Sequence, residues 1–284
     1  MPEGPEVRNI TKYLNSALSG LTLTGLGWDE NSKYSPNGPD KIDQVKPYFP
    51  AKMVQVFCKG KQIFFELISI KYKSRFYFNS GLGMAGGWIV KKEKHSNLWL
   101  EFGKVTKIGN ISLITIDSRI YFDDKRHFGN FTILWGEDAL NERLSEIGPD
   151  LLSGQVNFLI WTQILNKHKR CSLVSLLMNQ AYISGIGNYL KAEILYRAKL
   201  KPDRKVGSLT VTESKYLWKL SVETIYESYQ ANGLTIKDYR DPLGRKGTFA
   251  IRIYGKSHDP LGNPVSKGKF SDGRTTHWVP AIQM

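Results

Sequence analysis

The first residues of the chain combine a proline with two glutamates, a grouping that can perform covalent chemistry. Methionine is normally removed before a small second residue, which would leave Pro2 with a free secondary amine. The pKa of a terminal amine is about 8, so a neutral fraction can attack an aldehyde-like carbon and form an iminium. Glu3 and Glu6 could donate a proton to a leaving group or a ring oxygen. The alternative is an ordinary chain start whose acids complement a helix dipole.

Three short segments rich in glycine and basic residues follow. Segment 59–61 (KGK) precedes a predicted strand, segment 82–86 (LGMAG) is a tight turn, and segment 124–129 (DKRHFG) alternates charges and rings. Apolar and arginine side chains on turns can enter a base stack and fill the space of an extruded nucleotide. Met84 is also consistent with core packing, the usual role of methionine. His127 fits an ordinary turn and is assigned no chemistry.

A fourth segment, 184–188 (SGIGN), separates two helical stretches and opens the second one. Free N–H groups at a helix start, together with the Asn188 amide, could hold a phosphate. Glycine-rich helix openings are common, so this segment needs support from the rest of the chain.

The charge of the chain favours a polyanionic partner. Its 284 residues carry 40 Lys and Arg against 26 Asp and Glu, a formal net charge of +14. The surplus is clustered, because residues 51–100 hold nine basic and two acidic residues, and residues 151–284 hold 20 and nine. Clustered positive charge is typical of a nucleic-acid-binding face, and the alternative is a well-solvated lysine-rich surface.

Composition excludes several classes of protein. A hydrophobic fraction of 41% without low-complexity tracts indicates folded domains. No run of residues approaches a membrane span, and the acidic, proline-containing start is unlike a signal peptide. The two cysteines, Cys58 and Cys171, exclude a disulfide scaffold and an all-cysteine zinc site. We therefore expect a soluble protein of a reducing compartment.

The first half of the chain must position its candidate residues with a helix and strands. Residues 5–19 predict a helix with one apolar face, formed by Val7, Ile10, Leu14, Ala17 and Leu18. Seven short β-rich runs follow between about 52 and 134, namely KMVQVFC, QIFFELISI, FYFNS, NLWLEF, ISLITI, RIYFD and FTIL. We predict an α+β multidomain protein that begins with a helix and an antiparallel β-sandwich.

The second half is helical in composition. Helices are predicted at 155–179, at 188–198 and from Thr210, whose Glu213 completes a capping box. Residues 249–284 return to turns and short strands.

Together these motifs resemble the formamidopyrimidine-DNA glycosylase/endonuclease VIII family of base-excision repair enzymes. The resemblance runs nearly end to end and rests on PEGPEV, the Gly-Lys-Gln entry to a strand, LGMAG, DKRHFG, NQAYISGIGNYLKAEILYRAKLKP, IYGK and GRTTHWVPAIQ. It implies an N-terminal catalytic β-sandwich domain over 1–134, a linker over 135–149, a helix-two-turn-helix DNA-binding domain over 150–248 and a β-hairpin finger over 249–284.

The resemblance also implies roles for individual residues. Pro2 matches the nucleophile that attacks C1′ of the sugar, and Glu3 matches the acid that helps to open the sugar ring. Glu6 matches a second active-site carboxylate, and Lys61 matches a lysine that contacts phosphate beside the lesion and supports catalysis. The DNA-binding positions are the void-filling Met84, Arg126 and Phe128, the phosphate-binding Asn188 and the finger residue Arg274.

The finger departs from the pattern of most bacterial relatives, which close it with four cysteines around zinc. The matching positions here are Val265, Gly268, Val279 and Ile282, which offer no metal ligand. This resembles the zincless finger of the eukaryotic endonuclease VIII-like branch. We expect Val265, Val279, Ile282 and Trp278 to replace the metal with packing.

The resemblance implies a bifunctional DNA glycosylase/AP lyase. It would remove oxidised bases, mainly pyrimidines and formamidopyrimidines, through an N-terminal proline Schiff base with β,δ-elimination. We expect no metal or cofactor, damaged duplex or single-stranded DNA as the partner, a monomer, and an intracellular location where that DNA is held. Two alternatives stay open. One is a purine-type formamidopyrimidine/8-oxoguanine glycosylase, and the other is a non-catalytic lesion-binding module.

Overall fold

The structure is a computed structural model that describes residues 2–108, 111–234 and 241–284. It divides into two compact units. The first comprises Pro2, Glu6–Ser145 and 241–247, and the second comprises Glu3–Pro5, Glu146–Leu234 and Thr248–Met284. Within the described ranges, no helix has the length and apolar character that a bilayer crossing requires.

An amphipathic helix, α1 (Gly4–Leu18), opens the chain as predicted. Its residues Val7, Ile10, Leu14 and Leu18 are at most 3% exposed and pack in the core of the first unit. Ala17, which was predicted on the same face, is exposed. The 3.6-residue period therefore identified the buried stripe except at its edge.

Eight antiparallel strands form one continuous sheet. They are β1 (Thr22–Trp28), β2 (Ala51–Lys59), β3 (Gln62–Ser69), β4 (Arg75–Gly81), β5 (Gly87–Ile89), β6 (Ser96–Ile108), β7 (Ile111–Asp123) and β8 (Asn130–Trp135). Their order across the sheet is β5-β7-β6-β1-β2-β3-β4-β8. Two further helices of this unit are α2 (Ile42–Val45) and α3 (Gly136–Ser145).

The sheet folds over itself into a sandwich, which confirms the predicted architecture. Trp88 lies on edge strand β5, yet its ring packs against Phe65 of β3 at 5.1 Å and Phe131 of the opposite edge strand at 6.2 Å. Strand β1 makes the corner, because it pairs with β2 only at Thr22 and Leu23 and with β6 along its remaining length.

The strand pattern differs from the prediction in three respects. The short strand β5 was not among the predicted runs. The runs ISLITI and RIYFD belong to one long strand, β7. Strand β1 was not predicted, because Gly25 and Gly27 interrupt its apolar alternation. A Cβ at Gly27 would lie 2.4 Å from the ring of Trp99, and one at Gly25 would lie 2.8 Å from the Glu101 carboxylate. These glycines leave room for cross-strand side chains.

The second unit is built mainly from helices. They are α4 (Phe158–Lys167), α5 (Leu173–Met178), α6 (Asn188–Arg197) and α7 (Val211–Gln230). The predicted stretch 155–179 is thus two helices, and the Ser172 side chain starts the second by accepting from Ser175 N. The predicted capping box of Thr210 and Glu213 is present at the start of α7.

A two-stranded hairpin, β9 (Ser266–Lys269) and β10 (Thr275–Trp278), forms the finger. Helix α6 is buried along most of its length, and it anchors the segment that leads into the finger. The Glu193 carboxylate, fully buried, accepts from the N–H groups of Arg252, Ile253 and Tyr254, each at 2.9 Å. Three charge-assisted hydrogen bonds satisfy a charge that would otherwise be costly to bury.

Candidate active site and nucleic-acid interface

In the first unit, the start of α1 and the β2–β3 turn lie at the same end of the sheet. Helix α1 runs antiparallel to β2, since Asn15 Oδ1 accepts from Val56 N at 2.7 Å while the helix end at Gly20 donates to Met53 O. Nine helical residues back to Glu6 span about 14 Å. Five strand residues forward from Val56 to the turn span about 16 Å. Measured along β2, Glu6 and the β2–β3 turn are therefore at nearly the same distance from Val56.

Three predicted catalytic residues belong to the first unit, and two of them, Glu6 and Lys61, lie at this end of its sheet. Pro2 is buried, and Glu6 in the first turn of α1 is 1% exposed. Lys61 is half-buried in the two-residue turn between β2 and β3, after Gly60 with a φ of +56°. A glycine with positive φ is favoured at the first position of such a hairpin turn. KGK is thus a hairpin turn that presents a lysine.

Two turns cross between the layers of the sandwich side by side. The turn 82–86 joins β4 to β5, and the segment 124–129 joins β7 to β8. The two segments have neighbouring ends. Gly81 pairs with Asn130 before the first crossing, and Gly87 pairs with Asp123 after it. Because Gly81 also pairs with the first residue of β3, both crossings lie at the end of the sheet that carries the β2–β3 turn.

These two segments, 82–86 and 124–129, are called the paired turns below, and they touch through their backbones. Gly83 has a φ of +60°, and a Cβ there would lie 2.5 Å from Gly129 N. Met84 on the first turn is 38% exposed, Phe128 on the second is 65% exposed, and Arg126 is also exposed. The structure therefore brings the turns that carry the three predicted void-filling side chains together and leaves those side chains outside the core.

Two residues that the sequence did not identify hold the second of the paired turns. Asp124 is fully buried, and its carboxylate accepts from Gly129 N at 2.7 Å. Lys33 Nζ donates to the carbonyl oxygens of His127 and Gly129, on either side of Phe128. An aspartate that opens a turn and accepts from its backbone is a common motif, so DKRHFG contained a local signal for Asp124. Lys33 has none, since it lies almost 100 residues away.

In the second unit, Glu3 lies at the N-terminus of α6. Its carboxylate is 2% exposed and accepts from Gly187 N at 2.7 Å, Tyr189 N at 3.0 Å and Leu190 N at 3.3 Å. Gly4 N also donates to Gly185 O at 2.8 Å. An acidic side chain here satisfies orphan N–H groups and complements the helix dipole.

Close approach explains the glycines of both motifs. A Cβ at Gly187 would lie 2.3 Å from Glu3 Cδ, and one at Gly4 would lie 3.0 Å from Gly185 Cα. Residues 3–5 of PEGPEV and the turn SGIGN, distant in sequence, are therefore packed together within the second unit. The expectation that free N–H groups of this turn hold a phosphate is wrong for Gly185 and Gly187. Their N–H groups donate to Gln180 Oε1 and to Glu3.

Helix α6 also brings Asn188 to the finger. Asn188 Nδ2 donates to Thr275 O at 3.0 Å, next to the exposed Arg274. The hairpin turn reverses at Gly273, which has a φ of +70°. Two of the predicted DNA-binding residues are thus close together on one face of the second unit.

A buried ion pair that the sequence did not identify lies beside them. Lys191 Nζ pairs with Asp272 Oδ2, and the two side chains are 0% and 3% exposed. Burial lowers the pKa of Lys191, and the hydrogen bond and charge of Asp272 oppose that shift. The available signal was the helical sequence YLKAEIL, in which charged residues interrupt an otherwise apolar, buried helix.

The four finger positions that lack cysteine are mostly apolar. Val265, Val279 and Ile282 pack in one cluster around Ile253, with Val279 fully buried. Trp278, which was expected in this cluster, instead packs edge-on against Phe270 at 6.2 Å. Among the described residues, no group of three or more His, Cys, Asp or Glu side chains is arranged to hold a metal ion.

A helix-led β-sandwich, a helical unit that contains the SGIGN turn and a β-hairpin finger are the parts expected of a class of DNA-repair glycosylases. Three family models match this chain: the formamidopyrimidine-DNA glycosylase N-terminal domain over residues 1–131, its H2TH domain over 147–240 and its C-terminal domain over 239–284. The chain therefore belongs to the formamidopyrimidine-DNA glycosylase family.

Relatives match along their whole length. The formamidopyrimidine-DNA glycosylases of Halalkalibacterium halodurans and Thermus thermophilus are 27% and 28% identical, cover all of this chain and are themselves covered at 100% and 98%. The crystal structure of the Thermus thermophilus MutM (Fpg) protein matches with a TM-score of 0.80 at 26% identity, over 99% of this chain and 98% of its own. A Lactococcus lactis Fpg mutant in complex with Fapy-dG-containing DNA matches with a TM-score of 0.82 over 100% of both chains. At 23% identity, that likeness shows the fold alone.

Proposed function

We propose that this enzyme is a bifunctional DNA glycosylase/AP lyase that removes oxidised bases from DNA, mainly pyrimidines and formamidopyrimidines. The observation that carries the proposal is the anchoring of Glu3, directly after Pro2, on the first turn of α6. Besides capping α6, these hydrogen bonds hold the residue that follows Pro2 against a second element. Anchoring of this kind would fix the neighbouring amine for attack.

In the proposed reaction, the neutral Pro2 amine attacks C1′ of an extruded nucleotide. The C1′–N bond breaks and the base leaves, taking a proton from water. The sugar ring then opens as the amine loses its own proton, which gives an iminium between Pro2 and C1′. Glu3 accepts hydrogen bonds from three N–H groups, a pattern that suits an ionised carboxylate. It would take the proton released by the attacking amine and pass it to the sugar ring oxygen.

The iminium withdraws electrons and acidifies the C2′ proton. Loss of that proton with departure of the 3′ phosphate is β-elimination, and a second elimination releases the 5′ phosphate. Hydrolysis then returns the free amine. Lys61, at the same end of the sheet as the start of α1, would contact a phosphate beside the lesion. Glu6, buried in the first turn of α1, would be the second carboxylate of the site.

The exposed side chains of the paired turns suit the space left by the extruded nucleotide. Extrusion costs a few kcal/mol of stacking and pairing. Met84, Arg126 and Phe128 would offset part of this by entering the duplex. Asn188 and Arg274 would bind backbone phosphates, which position DNA without reading its sequence.

The preference for pyrimidines rests on the resemblance of the finger to the zincless branch. The apolar cluster around Val279 supports it, since packing closes the finger at the cysteine positions. The relatives are formamidopyrimidine-DNA glycosylases, which supports excision of formamidopyrimidines. It is also consistent with the purine-type alternative. The loop 237–248, which caps the base in the family, lies partly outside the described residues.

A panel of duplex oligonucleotides tests the proposal. Each would carry one oxidised pyrimidine, a formamidopyrimidine or 8-oxoguanine opposite cytosine, with an undamaged duplex as the control. We expect excision of the first two classes to exceed that of 8-oxoguanine by at least about tenfold, the discrimination that differential contacts in one pocket supply. Faster removal of 8-oxoguanine would favour the purine-type alternative. Binding of damaged DNA without excision of any base would contradict catalysis.

A further inference from the structure

The finger is held to α6 in two ways that differ in chemistry. At its base, Val265, Val279 and Ile282 form an apolar cluster. Near its tip, the contact is the buried ion pair between Lys191 and Asp272. A buried ion pair is rarely more stabilising than well-packed apolar residues of similar volume, but it imposes a defined geometry. An ion pair near the tip therefore suggests that this contact fixes the position of the hairpin turn rather than adding to the stability of the finger.

The pair connects α6 directly to the backbone of Arg274. One carboxylate oxygen of Asp272 pairs with Lys191 Nζ, and the other accepts from Arg274 N at 3.2 Å. One helical turn earlier, Asn188 holds the carbonyl oxygen of Thr275. Contacts from one face of α6 thus fix the backbone on both sides of Arg274, while its guanidinium group is exposed.

The charges around this pair agree with a fixed arrangement. Lys191 is attracted by Glu3 as well as by Asp272 and is repelled by Arg274. The buried Lys191 ammonium pairs with Asp272, and its charge opposes a closer approach of the Arg274 guanidinium. Such an arrangement favours an Arg274 guanidinium directed away from α6, where an anion can reach it.

We propose that Lys191 and Asp272 are positioning residues for Arg274, which they hold in the orientation that contacts a DNA phosphate. This inference deepens the proposed function and rests on it. Neither residue touches DNA in this account. A purely structural pair would stabilise the finger without changing what Arg274 contributes to binding.

The first arm of the test needs no DNA. Hydrogen exchange followed by mass spectrometry on the full-length protein reports the protection of residues 270–276. The charge-neutral variant Lys191→Met/Asp272→Asn avoids leaving an unpaired buried charge, so it should fold. We expect exchange in this segment to accelerate about tenfold, because the contact between Lys191 and residue 272 that holds the hairpin turn against α6 is lost. Arg197→Met, which breaks the α6 pair with Glu227 at 3.0 Å, is the matched control and should leave it unchanged.

The second arm is a double-mutant cycle on affinity for a duplex with an abasic-site analogue, measured over a range of salt. In the wild-type background, Arg274→Ala should weaken binding about tenfold and reduce the salt slope by about one unit. In the Lys191→Met/Asp272→Asn background it should change affinity by less than about twofold. In the Arg197→Met background, Arg274→Ala should weaken binding as much as it does in the wild type.

Each outcome decides one of the two claims. Unchanged exchange at 270–276, or equal effects of Arg274→Ala in all three backgrounds, would overturn the positioning role. A wild-type protein without preference for the damaged duplex would overturn the proposed function alone. In that case the exchange arm still decides whether the pair orders the Arg274 backbone.

Discussion

Replacing Gly187 by alanine should detach Glu3 from α6 and strongly slow base excision. The backbone of Gly187 has a φ of −128°, which alanine adopts without strain. The added methyl group, however, would lie 2.3 Å from Glu3 Cδ and 2.4 Å from Glu3 Oε1. Carbon atoms in contact prefer about 3.5–4.0 Å, so the carboxylate has to move away.

The displacement leaves the N–H groups of Gly187, Tyr189 and Leu190 without the carboxylate that accepts from them. A buried N–H group without a partner costs about 1–3 kcal/mol, and partial access of water to the helix start reduces the total to about 2–4 kcal/mol. A loss of that size should lower the melting temperature of the second unit by about 5–15 °C. Loss of a positioned proton-transfer group should slow excision by at least about 100-fold.

The assay compares excision of an intact oxidised base with cleavage at a preformed abasic site. Gly187→Ala should impair the first much more than the second, because an abasic sugar is already partly in its ring-opened aldehyde form and needs less proton transfer to the ring oxygen. Gly87→Ala is the matched control, since its added methyl group would meet no atom within 4 Å and its φ is not positive. Wild-type excision and an unchanged melting temperature for Gly187→Ala would refute the anchoring of Glu3 as a functional contact.

Three further predictions concern the paired turns, the finger and the start of α7. Met84→Ala should reduce excision in duplex DNA more than in single strands, where there is little to unstack; equal losses would indicate a packing role. Prolonged chelation should leave folding and activity unchanged, and elemental analysis should find no stoichiometric zinc; loss of activity with the chelator would contradict the apolar finger. The hydrogen bonds from Arg204 and from the Thr210 backbone lower the pKa of Glu213 to about 2, from its ordinary 4.5. Since this pKa is lowered on folding, the stabilisation is present above pH 4.5 and is lost as the pH falls towards 2. The difference in unfolding free energy between wild type and Glu213→Gln should therefore shrink across that window in denaturant titrations, and a constant difference would contradict it.

Features set by local sequence were predictable. The apolar stripe of α1 follows from a 3.6-residue period, and the capping box at Thr210 follows from two residue types at fixed spacing. The alternating runs between 52 and 134 gave most strands of the sandwich, since each alternation reflects one buried face. Strand β1 was not predicted because its glycines interrupt the apolar alternation. Their role, which is to leave room for side chains of β6, becomes visible only when the two strands are paired.

Features set by distant contacts were not predictable. The N–H groups of SGIGN look available from the sequence, yet Glu3, 184 residues away from Gly187, occupies one of them. The partner of Lys191 lies 81 residues further along the chain. Charged side chains are usually exposed, so sequence composition assigns such residues to the surface. Only packing shows that they connect the finger and the chain start to α6.

The most direct test of the account is reductive trapping of the enzyme on damaged DNA. Borohydride added during the reaction should reduce the iminium and leave a stable covalent adduct, which peptide mapping should place on the amine of Pro2. Pro2→Gly, or an N-terminal tag that blocks removal of methionine, should abolish the adduct. A tagged protein that still traps DNA at the normal yield, with the adduct on Lys61, would contradict the central claim that Pro2 is the nucleophile.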